Sequence, residues 1–412
     1  MNVESSRLSW PKNKIEIVLL EGIHQRAIEA FKKETFQVRT NPGKLKGTEL
    51  ETALGRCHVV GIRSGTPLSR KVLEVSPRLL AIGCFCIGTD QVDLKAAMHL
   101  GIPVFNAPYE NTRSVAELVV AEIVMLLRRT FEFSTKVHEG KWPKTAERAY
   151  EIRGKTLGII GYGHIGAQVS VLAEAMGLKV LFHDIADVLP MGNAKRTSGL
   201  GELLTRSDII TLHVPADAST RDMIGPEEIA KMRKGSYLIN ASRGSVVVID
   251  ALAAALKNGH LGGAAIDVYP KEPTGPDKPL KSPLRGLPNV ILTPHIGGST
   301  TEAQESIARD VSKKLIRYIN NGSTIGAVNF PEVDLPIQGD FHRILHIHRN
   351  VPGVLSAVNG VMSKAGINIQ SQYLRTRSDI GYLVMDINRT TTDNLLRSLR
   401  ELPQTIRVRA LF

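Results

Sequence analysis

Three polar side chains follow apolar runs that predict buried strands. Arg243 comes after LINAS, Glu272 follows the run that ends at Tyr269, and His295 closes NVILTPH. An arginine fork can bind a carboxylate, an imidazole can exchange a hydroxyl proton near neutral pH, and a neighbouring glutamate can fix the imidazole tautomer. Each residue alone has a plainer explanation as a surface or capping residue. Together, at the ends of strands, they predict proton transfer on an anionic substrate.

A glycine-rich turn lies upstream of this set. The segment Gly161–Gly166 fits the pattern GxGxxG, follows the apolar run LGII and opens a helical pattern. Such a turn lets the backbone at Gly163 approach a pyrophosphate, and the helix N-terminus attracts the anion. Asp184 ends the next predicted strand, where its carboxylate would accept hydrogen bonds from ribose hydroxyls and repel a 2′-phosphate. The pattern predicts a dinucleotide site that favours NAD over NADP, although Lys195 and Arg196 lie downstream and weaken that preference.

Strand and helix patterns alternate along most of the chain. Over residues 15–107 four apolar runs alternate with four helical patterns, and a long helix is predicted over about 112–130. The alternation starts again at 155 and continues to 295, and a further helix is predicted over about 300–321. Because alternation of this kind implies parallel strands with crossover helices, we expect two doubly wound, parallel-sheet α/β domains, Rossmann-like or flavodoxin-like.

The last 72 residues have a different order of elements. After a linker with two prolines, at 328–340, the patterns predict strand, helix, strand, strand, helix and strand. This βαββαβ order is typical of a small ferredoxin-like module.

Composition narrows the function classes. The chain has 412 residues, of which 42% are hydrophobic and 22% charged, which excludes a collagenous, disordered or disulfide-scaffold protein. The 52 basic and 40 acidic side chains give a net charge of +12, which would suit nucleic acid, a membrane surface or an anionic small substrate. Neither a nucleic-acid-binding motif nor a membrane-spanning pattern occurs, so neither partner is expected.

The cysteines indicate the compartment. Cys57, Cys84 and Cys86 are an odd number in a long chain, which predicts no disulfide framework and a reducing, cytoplasmic location. Cys84-Phe-Cys86 has the form of half a metal site, but it lies in a predicted buried strand and no second ligand pair follows. We therefore expect no metal. The N-terminal residues lack a signal-peptide pattern.

Four motifs follow one another in a distinctive order, namely GYGHIG with Asp184, NASRG, DVYPKEP and TPHIGGST. In this order the chain resembles the D-isomer-specific 2-hydroxyacid dehydrogenase family, and its last segment resembles an ACT regulatory domain. The resemblance covers nearly the whole chain. It implies a discontinuous substrate-binding domain of residues 1–110 and 299–337, an NAD-binding domain of residues 111–298 and an ACT domain of residues 339–412.

The resemblance also implies roles for single residues. In that family an arginine binds the substrate carboxylate and a His–Glu pair carries the proton, which implies these roles for Arg243, His295 and Glu272. The implied cofactor is NAD, and the implied substrate is a phosphorylated 2-hydroxy acid. The residues implied around the cofactor are Gly161, Gly163, His164, Ile165, Gly166, Asp184, His213, Pro215, Ala241, Ser242, Arg243, Asp267, His295, Gly297 and Gly298.

Substrate-binding segments of the family match as well. Arg63 and Ser64, in IRSGTPLSR, become candidates for contact with the substrate phosphate or carboxylate. Asn111, in ENTRSV, becomes a candidate partner for the same ligand.

One position departs from the family pattern, because Gly65 stands where a second arginine can occur. The phosphate cradle is then weaker, or it is completed by another basic residue such as Lys141 or Lys144. Trp142 resembles a tryptophan that some members insert into a neighbouring subunit, and a local core or surface aromatic is the equal alternative.

The terminal module carries three further candidates. His348, Asn350 and Asn368 match polar positions that bind L-serine in similar ACT domains, although turn and cap roles are the alternative. The resemblance implies feedback inhibition by L-serine and a homotetramer in which such modules pair edge to edge.

Two other functions stay open at this point. The first is a different D-2-hydroxyacid dehydrogenase, acting on glycerate, lactate or formate, against which Arg63 and the ACT-like module argue. The second is a non-enzymatic, NAD-sensing corepressor-like protein, which shares this fold. The intact arginine, glutamate and histidine set argues against it.

Overall fold

The computed structural model divides into two compact units. It describes residues 11–273, 278–335, 342–388 and 393–411. Unit 1 contains the described residues up to Glu110 and from Gln304 onward, and unit 2 is Asn111–Ala303.

The first segment of unit 1 is an α/β layer. Its elements are β1 (Glu16–Leu19), α1 (Gln25–Lys33), β2 (Gln37–Thr40), α2 (Gly47–Leu54), β3 (Val59–Ile62), α3 (Arg70–Glu74), β4 (Ala81–Cys84), α4 (Leu94–His99) and β5 (Val104–Asn106). The strands are parallel in the order β2-β1-β3-β4-β5. All four predicted apolar runs form strands, and β3 and β4 are buried throughout, as expected for a parallel sheet covered on both faces. The sequence did not predict β2, because this exposed edge strand contains polar residues and no apolar run.

Unit 2 contains the second parallel sheet. Its elements are α5 (Thr112–Leu127), α6 (Thr130–His138), β6 (Thr156–Ile160), α7 (His164–Ala175), β7 (Lys179–His183), β8 (Lys195–Arg196), α8 (Leu200–Arg206), β9 (Ile209–Leu212), α9 (Pro226–Lys231), β10 (Tyr237–Asn240), α10 (Ile249–Lys257), β11 (Gly263–Ile266) and β12 (Val290–Leu292). The strand order is β12-β11-β10-β9-β6-β7-β8. The order reverses between β6 and β9, so the carboxyl ends of these two strands mark the switch point at which doubly wound sheets bind ligands.

The long helix predicted over about 112–130 is two helices. The first ends at Leu127, and Arg129 adopts a left-handed conformation with φ of 53°. A residue in that region cannot continue a right-handed helix, so the chain changes direction before α6.

The last segment of unit 1 adds a long helix and an antiparallel sheet. Its elements are α11 (Thr301–Asn321), β13 (His342–Arg349), α12 (Val354–Lys364), β14 (Ile369–Arg377), β15 (Ile380–Ile387), α13 (Asp393–Arg400) and β16 (Thr405–Leu411). The strand order is β14-β15-β13-β16, which confirms the predicted βαββαβ module. Residues 336–340 of the predicted linker lie outside the described residues.

The two central strands of this antiparallel sheet, β13 and β15, are buried on both faces, whereas the edge strand β14 is largely exposed. Ile344 on β13 packs with the residues of α12 and α13, whereas its neighbour Leu345 faces the opposite way and joins a core with Tyr318 of α11 and Phe330. Successive residues of a strand point to opposite faces, so one strand serves two cores. The module is thereby built into unit 1.

A buried ion pair fixes the register of the same sheet. Arg343 and Asp386 are directly opposite on β13 and β15, and Nε and Nη2 of Arg343 lie 2.6 and 2.9 Å from the two Asp386 oxygens. Arg343 also donates to the carbonyl of Asn321, at the end of α11.

None of the helices in the described ranges has the length and apolar composition that a membrane crossing requires.

Candidate active site

The glycine turn follows β6 at the switch point of unit 2. Gly161 has a φ of 89°, and a Cβ on it would overlap the His213 carbonyl oxygen. A Cβ on Gly166 would overlap the Gly161 carbonyl oxygen. Gly163 has no neighbour within 4 Å of its would-be Cβ. The first and last glycines are therefore required by the fold, whereas the middle one leaves free space through which a ligand can approach the backbone.

Asp184 lies beside this turn, just beyond β7. Its Oδ2 accepts a hydrogen bond from the Tyr162 amide at 2.6 Å, and its Oδ1 accepts one from the Ala186 amide at 2.8 Å. These bonds hold the carboxylate against the glycine turn, where a bound ribose would meet it.

Arg196 is occupied by contacts of its own. It donates to the carbonyl oxygens of Asp184 and Ala186 at 2.9 and 3.0 Å and pairs with Asp187 at 2.7 Å. The guanidinium that could have favoured a 2′-phosphate is thus committed to this loop.

His213, at the carboxyl end of β9, presents a neutral ring to the same region. Burial lowers its pKa to about 3. Its Nε2 lies 3.1 Å from the hydroxyl of Thr211, while its Nδ1 is buried without a hydrogen-bond partner. A buried nitrogen of this kind is available to a ligand that enters the site. The turn, Asp184 and His213 together fit a dinucleotide.

The catalytic candidates lie in the same unit. Nδ1 of His295 is 2.8 Å from Oε1 of Glu272, and both side chains remain partly exposed. The hydrogen bond to Glu272 raises the pKa of His295, with burial opposing it, and the same hydrogen bond lowers the pKa of Glu272. The charge of Arg243 contributes smaller shifts to both groups. Arg243, Glu272 and His295 therefore lie close enough for the charge of Arg243 to act on the other two side chains.

Asn240, which the sequence analysis did not identify, braces Arg243. Its Oδ1 accepts hydrogen bonds from the Ser242 amide and hydroxyl at 3.0 and 2.8 Å, and its Nδ2 donates to the Arg243 carbonyl. Asn240 is fully buried at the end of β10. Asn240 therefore holds the backbone of the loop that carries Arg243 in a fixed position at the end of β10.

Asp267 braces the loop of His295 in a similar way. Its carboxylate accepts from the Thr293 hydroxyl at 2.6 Å and from the amides of Ile296 and Gly297 at 2.8 and 2.9 Å. His295 itself has a left-handed φ of 56°. Three bonds to one buried carboxylate offset the strain of that conformation.

Asn111 lies in unit 2 against Gly298. A Cβ on Gly298 would overlap Nδ2 of Asn111, so glycine is required at that contact. The Oδ1 of Asn111 is buried without a hydrogen-bond partner. The predicted role of Asn111 in substrate binding stays a prediction.

Arg63 and Ser64 lie in unit 1, on the loop after β3. A carboxylate that the sequence analysis missed, that of Glu21, organises this loop: it accepts hydrogen bonds from the amides of Arg63, Gly65 and Thr66 at 3.2, 2.8 and 2.8 Å. Such a contact between distant segments leaves no local signal in a sequence.

Gly65 has a structural explanation. A Cβ there would lie 2.9 Å from Oε2 of Glu21 and 3.4 Å from Cδ of Lys44. The bracing carboxylate and the lysine stem therefore already fill the space beside this position.

An exposed apolar surface follows α5. Trp142 is 81% exposed, and Phe131 and Val137 are about half exposed. The local-core explanation of Trp142 is therefore wrong. Lys141 pairs with Glu139 at 2.7 Å.

The three effector candidates lie in the antiparallel module. His348 is buried, which lowers its pKa, and its Nδ1 lies 2.8 Å from the Arg349 carbonyl while its Nε2 has no partner. Asn350 is exposed and donates to the Ser378 carbonyl. Asn368 is exposed before β14.

Comparison with known proteins agrees with this geometry. Residues 120–297 match the model of the NAD-binding domain of D-isomer-specific 2-hydroxyacid dehydrogenases, and residues 344–407 match an ACT domain like that of the AHAS small subunit. A solved D-lactate dehydrogenase from Aquifex aeolicus, complexed with NAD and lactic acid, aligns with a TM-score of 0.68 at 30% identity and covers 77% of this chain and 100% of its own. The fold and site thus define an NAD-binding D-2-hydroxyacid dehydrogenase.

Relatives that match over their full length show to which family of D-2-hydroxyacid dehydrogenases the chain belongs. The chain is 50% identical to the D-3-phosphoglycerate dehydrogenase of Escherichia coli K12 over 99% of this chain and 100% of the relative. The enzyme of the same name from Dictyostelium discoideum is also 50% identical, over 98% of this chain and 99% of its own. The chain belongs to the D-3-phosphoglycerate dehydrogenase family. The sequence-based predictions of the family, the α/β fold class and NAD as cofactor are confirmed.

Proposed function

We propose that the protein oxidises 3-phospho-D-glycerate to 3-phosphohydroxypyruvate with NAD, the first step of L-serine biosynthesis. The observation that carries this proposal is the His295–Glu272 pair, 2.8 Å apart, beside Arg243 in a unit that also bears the dinucleotide turn. Reduction of 2-oxoglutarate is a side activity that the same acid–base set allows.

The chain's own residues supply binding and proton transfer. Bound NAD provides the acceptor for the C2 hydride. The free Nε2 of His295 takes the C2 hydroxyl proton, and Glu272 stabilises the imidazolium that results. Arg243 binds the carboxylate and stabilises the developing carbonyl oxygen. In the reverse direction the protonated imidazole returns the proton.

The cofactor contacts follow from the site. Backbone amides at Gly163, His164 and Ile165 face the pyrophosphate, since Gly163 leaves space there. Asp184 holds the ribose hydroxyls.

The substrate phosphate engages Arg63 and Ser64, on the loop that Glu21 braces. Asn111 contributes an amide to the same ligand. These assignments rest on the charge of Arg63, the exposed loop position of Ser64 and the unpartnered Oδ1 of Asn111.

The antiparallel module binds L-serine and inhibits the enzyme. The unpartnered Nε2 of the buried His348 supports this, because burial keeps the ring neutral and able to bond a hydroxyl. Asn350 and Asn368 provide amides for the carboxylate and ammonium groups.

We also propose a homotetramer in the cytoplasm. The exposed Trp142 and its apolar neighbours Phe131 and Val137 support a contact with a second copy. Cys57, Cys84 and Cys86 form no disulfide among the described residues, which fits a reducing compartment.

The test is NADH formation from 3-phospho-D-glycerate, with D-glycerate and D-lactate as competitor substrates and L-serine added in a parallel series. We expect the phosphorylated substrate to be preferred and serine to inhibit. Equal or better turnover of the unphosphorylated acids would overturn the substrate assignment. Absence of turnover with every acid, despite NAD binding, would favour the non-enzymatic NAD sensor.

A further inference from the structure

A cavity of about 820 Å³ lies within unit 1, between the first α/β layer and the antiparallel module. One wall is formed by the residues after α3, such as Ser76, and by His99 at the end of α4. The other is formed by Arg349 and Asn350, after β13, and by Arg407 of β16.

The arginines that line this cavity are not paired with its carboxylates. Of its two acidic residues, Glu74 pairs with Arg70 at 3.6 Å, whereas Asp379 lies 3.4 Å from His99, whose ring carries a charge only when it is protonated. No carboxylate in the described parts of the chain pairs with Arg349 or Arg407. Arg349 and Arg407 therefore line one cavity without a carboxylate partner among the described residues.

The surroundings of Arg407 strengthen this observation. Its side chain is half-buried and donates to the carbonyl of Leu79, a neutral acceptor. Beside it Arg409 also donates to a carbonyl, that of Ile319, and its Nη1 is buried without a partner. Charged groups withdrawn from water are costly unless a counter-charge accompanies them. A bound anion would supply that counter-charge.

We propose that this cavity binds a small organic anion with two negative charges, carried by carboxylates or by a phosphate. A guanidinium fork matches both groups with two parallel hydrogen bonds. Arg407 provides the half-buried contact and Arg349 the exposed contact at the mouth.

The site differs from the proposed serine site. Neither His348 nor Asn368 lines the cavity, and Asn350 alone is common to both sets. Because the walls come from the two parts of unit 1, a bound anion would link the module to α3 and α4. The proposal does not depend on which hydroxy acid the enzyme oxidises.

The direct test is calorimetric titration of the full-length, NAD-saturated enzyme at constant ionic strength. One series uses inorganic phosphate and the other uses succinate, so that the preferred acidic group is identified. Arg349→Gln removes the cation at the mouth, and Arg375→Gln is the matched control, because Arg375 is an exposed arginine of β14 that does not line the cavity. We expect one of the anions to bind about tenfold more weakly to R349Q than to the wild type or R375Q.

A second measurement locates the anion. Amide hydrogen exchange should slow at the cavity walls, around Ser76 and Arg407, on addition of the preferred anion to the wild type, and should not slow in R349Q. Equal affinities for R349Q and R375Q, or no heat with either anion up to tens of millimolar, would overturn the proposal. Protection confined to the Arg63 loop would also overturn it, since the anion would then occupy the substrate site.

Discussion

His295 and Glu272 are joined by a 2.8 Å hydrogen bond although 23 positions separate them along the chain. One residue follows β12 and the other follows β11, and these neighbouring strands are parallel. Their carboxyl ends therefore lie together, and the bond orients the imidazole with its Nε2 free. Because both side chains are partly exposed, the bond adds little to the stability of the fold. It orients the imidazole and raises the pKa of the ring.

Replacing Glu272 with glutamine should shift the pH dependence of catalysis toward lower pH. Glutamine keeps the shape but weakens the hydrogen bond and removes the charge, both of which raise the pKa of His295. Oxidation needs the neutral ring, so the acidic limb of its kcat/KM profile should move to lower pH. Reduction needs the protonated ring, so its alkaline limb should move in the same direction. Unchanged limbs in both directions would show that another group carries the proton.

Replacing His295 with alanine should lower kcat by about 10²–10⁴-fold, the contribution of a positioned acid–base group. NAD affinity, measured by fluorescence titration, should change little. His260→Ala is the control, because the ring of His260 bonds the backbone carbonyl of Ile229 and His260 is not among the predicted site residues. Normal turnover by H295A would remove His295 from the mechanism.

The glycine turn offers a pair of variants that separates folding from binding. Gly161→Ala should destabilise the protein by about 1–3 kcal/mol, because the residue is left-handed and a Cβ would overlap the His213 carbonyl. Gly163→Ala should leave the free energy of unfolding unchanged, since nothing surrounds its Cβ, but should raise the KM for NAD. Urea unfolding and NAD titration of both variants provide the check. A G163A variant with normal NAD affinity would contradict the assigned approach of the pyrophosphate.

A buried acid on α5 predicts a pH dependence of stability. Burial raises the pKa of Glu122 to about 8, with a smaller contribution from Asp267, and neither carboxylate oxygen has a hydrogen-bond partner. Because the folded state holds this proton more tightly than the unfolded state does, the wild type should lose stability as pH rises from about 4.5 to about 8. Glu122→Gln cannot lose a proton, so its free energy of unfolding relative to the wild type should rise over that range. A difference that stays constant with pH would show that Glu122 is ionised in the folded protein.

Replacing Asn350 with alanine should abolish inhibition by L-serine while leaving the uninhibited rate unchanged. The residue is exposed and its amide can reach a ligand, and the hydrogen bond to Ser378 that is lost lies at the surface. Asn359→Ala is the matched control, since Asn359 is a polar residue of α12 that contacts Gln372. Serine titrations of the rate should separate the two variants. Full inhibition of N350A would remove Asn350 from the effector site.

The parts of the fold that rest on apolar runs were predictable from the sequence. Strands such as β3 and β6 are buried on both faces, so their apolar character is continuous and easily detected. The polar edge strands β2 and β8 carry no such signal. The sequence did not indicate that α5 ends at Leu127. The helix ends there because Arg129 is left-handed, and arginine rarely adopts that conformation.

The residues of the candidate site also fall into two groups, those that the sequence could predict and those that it could not. Arg243, Glu272 and His295 were predictable because each follows a recognisable strand and because short motifs surround them. Glu21, Asn240 and Asp267 were harder to assign, since their roles consist of hydrogen bonds to backbone amides brought near only by folding.

The burial of both faces of β13 and β15 bears on where the chain can be cut for study. Cutting the chain before β13 would strip Tyr318 and Phe330 of the partners that cover them, and would leave the Asn321 carbonyl without the Arg343 guanidinium. The catalytic portion alone should therefore be prone to aggregation. A variant that lacks the proposed inhibition by L-serine is therefore better sought by point substitution at the proposed effector residues than by truncation.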